Sequence, residues 1–133
     1  MGRLMYFLIY KHVDGGWSVV KERDVDGVED AINSPFTVEV WIKPRISYLI
    51  GEEVDKLFEE YVKKCEEVEE LSIGMSKECE ELWKRISGLE RGRQTLQKLE
   101  NFARDEVMKE ISKCKNDECI RETLQKYGFT RAK

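Results

Sequence analysis

The stretch CKNDEC, residues 114 to 119, sets two cysteines five positions apart around a polar tetrad, while Cys65 and Cys79 lie far upstream. Thiols so placed could be half of a metal site, a redox pair or a staple. A four-thiolate zinc site usually shows two short pairs such as Cys-x-x-Cys, and this chain has one close pair, so no metal is expected. Within an unbroken helix, positions 114 and 119 would point about 140° apart, too divergent for a disulfide. Asn116 as a helix-ending residue and Asp117 as the N-cap of ECIRETLQKY would supply a break. Three readings stay open: four buried or idle thiols, a Cys114–Cys119 disulfide across that break, and a redox pair. The second requires a compartment that tolerates disulfides.

Other chemistry is sparse. The single histidine, His12, sits near an expected hairpin and reads as an ordinary strand residue. No serine or cysteine nucleophile has a sequence-level partner that would define a triad, so no catalytic residue is assigned and the chain is expected not to be an enzyme. Paired carboxylates abound in GEEVD and FEEYV, but a di-iron bundle needs Glu-x-x-His, which is absent. GLERGR lacks the lysine and serine of a phosphate loop, so Gly88 and Gly92 mark a kink or close helix packing. Neither a cofactor nor a small-molecule substrate is evident.

The elements that carry these residues fit within 133 residues, which suit one domain with an ordinary core. Residues 4 to 43 read as strands. LMYFLIYKHV is apolar on both faces and belongs centrally, DGG signals a hairpin, and WSVVK returns. In residues 37 to 43, Val38, Val40 and Ile42 share a core face, with Thr37, Glu39, Trp41 and Lys43 on a face near water. VEDAI offers a helical turn before Pro35. The expected fold is α+β: a small three-stranded, mainly antiparallel N-terminal sheet, then long amphipathic helices over most of residues 48 to 127. A β-rich part, 1–46, and a helical part, 47–133, form one domain.

The helices follow a seam through Val54, Phe58, Tyr61, Cys65, Val68, Met75, Cys79, Leu82, Ile86 and Leu89, interrupted at Ser72, and a second register through Leu96, Leu99, Ala103, Val107, Ile111 and Cys114. Residues 52 to 81 carry twelve acids against four lysines, whereas residues 82 to 133 carry eight against thirteen Lys or Arg. Glu66 and Glu70, one turn apart, disfavour an isolated helix and call for a basic neighbour. A turn at Gly74 would lay the acidic helix against the basic one, with Cys65 near Leu82, Val68 near Cys79 and Tyr61 near Ile86. The rival is a continuous coiled coil pairing with a second chain.

The partner this architecture favours is another protein or a second copy, met through the helices. The alternative is sequence-independent contact with nucleic acid through Lys84, Arg85, Arg91, Arg93, Lys98 and Arg104, which a sequence pI near 5.2 opposes. The apolar run at residues 4 to 10 is short for a signal core, nothing approaches the roughly 20 residues of a membrane span, and Tyr6 replaces the Ser or Thr of a myristoylation signal, so a cytoplasmic location and no membrane partner are expected. In composition, the Lys- and Glu-rich chain resembles hyperthermophile proteins and is similar in general character to small proteins of archaeal viruses and plasmids, without a diagnostic motif.

Overall fold

The computed structural model describes residues 4–69 and 77–133. Its elements run β1 (Tyr6–His12), β2 (Trp17–Arg23), α1 (Val25–Asn33), β3 (Thr37–Pro44), α2 (Ile46–Glu69), α3 (Lys77–Ser112), α4 (Asp117–Lys126) and β4 (Thr130–Arg131). The class is α+β, an antiparallel N-terminal sheet followed by long helices. Two compact units divide the chain, one made of residues 46–97 and one of residues 4–45 with 98–133. These bounds differ from the 1–46 and 47–133 parts read from the sequence, because the last turns of α3 and all of α4 pack with the sheet.

The sheet has the order β2-β1-β3-β4 with every pairing antiparallel. β1 lies inside, and its two-sided apolar sequence is explained by helices on both faces. On one face Phe7, Ile9 and Trp41 meet Val107 and Ile111 of α3, Leu124 of α4 and Phe129. On the other, α1 places Val28, 6% exposed, over the sheet. The VEDAI turn is a full nine-residue helix, capped by the Asp24 side chain accepting from the Gly27 N–H at 3.0 Å and ended at Ser34, ahead of Pro35. The DGG turn is closed by Gly15 at φ +96°, a conformation that glycine adopts without penalty.

A fourth strand corrects the three-stranded expectation. After α4, Gly128 takes φ +83°, its N–H donates to the Gln125 carbonyl, and the Phe129 N–H donates to that of Leu124, a left-handed helix end. That reversal drops Phe129 into the core and sets Thr130 and Arg131 opposite Ile42 and Trp41.

The alternation assigned to β3 is also corrected. Thr37, Glu39 and Trp41 are buried at 5%, 2% and 3% exposure, whereas Val38 is 45% exposed. Helices cover both faces, so neither is a water face. A register shift between Lys11 and His12 puts Thr37, in place of Val38, opposite His12. Beside this sheet, buried Arg45 is held by Glu22, Glu100 and Asn101 and lies 4.9 Å over the Phe7 ring, so its charge is compensated on every side.

In the other unit α2 and residues 77–97 of α3 form an antiparallel helical hairpin. Cys65 and Cys79 are disulfide-bonded with their Cα atoms 5.9 Å apart. A continuous helix would separate positions 14 apart by about 21 Å, so the uninterrupted coiled coil is overturned. The hairpin also pairs in a different register from Cys65 with Leu82: Cys65 meets Cys79, and Tyr61 meets Trp83 at 5.3 Å. The seam buries Leu57, Tyr61, Cys65, Cys79 and Ile86, with Val54, Leu82 and Leu89 packed against them. Ser72, Gly74, Met75 and the side chain of Val68, expected in the seam and its turn, lie outside the described residues.

Candidate interaction surface

On the hairpin, Leu57 takes the core position expected of Phe58, which is 48% exposed. Both residues fit a helical seam, but they stand about 100° apart around the axis, and the hairpin register selects the first. Phe58 therefore lies flat against Tyr61, with ring centroids 6.5 Å apart and nearly parallel planes, and Tyr61 in turn meets Trp83. Trp83 is 44% exposed. The outcome is a row of three aromatic rings from two helices, buried at its centre and open at both ends. Glu59 and Glu60 flank it on α2, and Lys84 and Arg85 flank it on α3. In the second register, Val107 and Ile111 are buried, whereas Leu99 is exposed.

The six cations proposed to contact nucleic acid are all on α3, but they fall in both units: Lys84, Arg85, Arg91 and Arg93 in the hairpin, Lys98 and Arg104 in the sheet unit. Their neighbours are mostly on their own helix. Lys84 sits 3.5 Å from Glu80, Arg93 is held at 2.5 Å by Glu90, Arg104 is 3.4 Å from Asp105, and Arg91 donates to the Ser87 carbonyl at 3.4 Å. The two Arg93–Glu90 hydrogen bonds raise the pKa of Arg93. Across the hairpin Arg85 approaches Glu53 at 3.8 Å. Lys84 and Arg85 keep 73% and 63% of their side chains exposed.

In the sheet unit, α4 carries a denser polar cluster that the sequence reading did not assemble. Arg121 donates to both carboxylate oxygens of Glu39 at 2.8 to 3.1 Å, and the Trp41 indole N–H donates to the same carboxylate at 2.7 Å. Burial pushes the Glu39 pKa up, yet these hydrogen bonds and the positive charges of Arg121 and Arg131 outweigh it and leave the group below its ordinary value. Arg121 is raised by the same contact. Asp117 accepts from Lys11 Nζ at 2.5 Å and from the Trp17 indole at 3.0 Å, and these bonds lower its pKa. Asp117 is thus not the cap. Asn116 is, accepting from the Cys119 N–H at 2.8 Å, and α3 has already ended at Ser112. Cys114 and Cys119 are joined across this break, Cα to Cα 5.5 Å.

Among the described residues, no group of three or more His, Cys, Asp or Glu side chains comes together as a metal site, and no helix is long and apolar enough to cross a membrane. Comparison with protein families, with curated proteins and with solved structures returns no match to this chain.

Proposed function

We propose that the protein is a non-enzymatic assembly module that associates with a second copy of itself through the hairpin. The observation that carries this reading is the half-exposed Phe58–Tyr61–Trp83 row. Aromatic side chains bury large areas at low entropic cost and dominate the centres of protein interfaces. An isologous contact about the row would set the Glu59–Glu60 edge of one copy against the Lys84–Arg85 edge of the other, twice over, which gives the contact a polarity as well as an apolar centre. The solution mass tests it. Light scattering behind gel filtration is expected to return twice 15.7 kDa for the native chain and 15.7 kDa for the Phe58→Ala, Trp83→Ala double variant with its helical content intact. A native protein that stays monomeric at millimolar concentration would refute it.

The second reading is sequence-independent nucleic-acid binding, favoured by the exposure of Lys84 and Arg85. Binding of this kind should vanish steeply as salt is raised, so anisotropy of a labelled duplex at low ionic strength decides it.

A further inference from the structure

Between the sheet and α1 lies a cleft of about 460 Å³, lined from the strands by Leu8, Tyr10, His12, Ser18, Val19, Arg23 and Thr37. Two irregularities of the sheet build its floor. The register of β1 with β2 shifts between Leu8 and Tyr10, so that Ser18 stands opposite Tyr10 where regular alternation from the Leu8–Lys21 pair would put Val19. That of β1 with β3 shifts between Lys11 and His12, and Thr37 stands opposite His12 where Val38 would be. At the β1–β3 shift a bulge thus brings the Thr37 hydroxyl to the cleft in place of Val38, and at the β1–β2 shift Ser18 lines it together with Val19. Val19 and Val38 are left 38% and 45% exposed. Bulges recur beside binding sites because they re-aim one side chain without disturbing the rest of a strand, and exposing two valines is a cost that packing alone does not explain.

His12 Nε2 lies 2.6 Å from Ser18 Oγ, and which of the two donates depends on the imidazole tautomer. Arg23 stands at the rim, and its stem lies across Gly27 of α1, where an added Cβ would meet Arg23 Cδ at 2.9 Å. Ala31 and Phe36 add apolar wall.

We propose that this cleft binds a small organic carboxylate, with its oxygens held by Ser18, Thr37 and Arg23 and its apolar body laid against Leu8, Ala31 and Phe36. One guanidinium and two hydroxyls suit a monoanion, whose single charge Arg23 can meet despite Asp30 in the same lining. A phosphate dianion would face Asp30, also in the lining, with that single cation, and the α1 N-terminus is already occupied by Asp24. The apolar wall requires more than a bare anion.

The test exploits His12, the one histidine of the chain, whose ring Hε1 gives a single resonance reporting on this cleft. Benzoate and octanoate are titrated into the whole protein, with benzyl alcohol and inorganic phosphate in parallel. Saturable shifts are expected with the carboxylates and not with the two controls. Arg23→Gln and Thr37→Val should each weaken carboxylate binding about tenfold, the loss of one hydrogen bond to a charged ligand. Arg23 is exposed, so its variant keeps the fold even if the buried Thr37 variant does not. No saturable shift with either carboxylate, an equal response to benzyl alcohol, a response to phosphate, or undiminished binding by Arg23→Gln would overturn the proposal.

Discussion

Glu39 is a carboxylate inside a sheet, 2% exposed, with Arg121 and Trp41 supplying its hydrogen bonds. Glu39→Gln should cost about 2 kcal/mol, the scale of hydrogen bonds to a charged group, read as a lowered denaturant midpoint. The sign of its pH dependence follows from the lowered pKa. The folded protein holds fewer protons on Glu39 and Asp117 than the unfolded chain does, so their stabilisation is present above the ordinary carboxylate values and is lost as pH falls below about 4. The acid limb of a stability curve should therefore be shallower in Glu39→Gln than in the native protein. Position 39 could not be read from the sequence as buried, because the residue that neutralises it lies 82 positions away. The cap was legible to within one residue: Asn and Asp are equally good N-caps, and nothing local chooses between positions 116 and 117. Asn116→Ala should cost about 1 kcal/mol of thermal stability through the lost cap. Asp117→Asn should act instead through Lys11 and Trp17, with a change in indole fluorescence that the cap variant lacks.

At the scale of elements, helical periodicity marks most of the seam, and charge with Gly74 favours a hairpin, but the period draws the seam through Phe58 at the core position that Leu57 takes. Their variants separate cleanly. Leu57→Ala should destabilise by about 2 to 5 kcal/mol, as core truncations do, and Phe58→Ala by less than about 1 kcal/mol in the monomer, checked by urea melts at low protein concentration. The opposite ranking would mean that the hairpin packs in the register expected from Cys65 with Leu82. Strand alternation is a weaker guide than helical period here. A bulge reverses every later side chain and leaves no mark in residue type, so Ser18 and Thr37 could not be assigned to one face beforehand. β4 has two residues, too few for any alternation, although the Tyr-Gly-Phe that precedes it is a recognisable helix stop.

Across the whole molecule the net charge of −4 is unevenly held. Residues 46–97 carry thirteen acids and eight bases, whereas residues 4–45 and 98–133 together carry fourteen of each. In the proposed dimer, an acidic hairpin would need Lys84 and Arg85 to pair with Glu59 and Glu60 of the other copy. On that proposal Lys84→Glu with Arg85→Glu should abolish self-association, and adding Glu59→Lys with Glu60→Lys should restore it, as sedimentation would show. The sheet unit, by contrast, is made from two separated lengths of chain. Trp41 must wait for Arg131, and the Val40 amide for the Lys133 carbonyl, ninety and more positions later. Synthesis proceeds at roughly 5 to 20 residues per second, so that interval lasts roughly 5 to 20 s. The hairpin has all its residues only once residue 97 is made and can then close by itself, while β3 still presents an unpaired edge beside an uncovered apolar face. For this protein the hazardous moment is that pause in its birth, when crowding by neighbouring nascent chains or a holding chaperone decides whether the sheet completes.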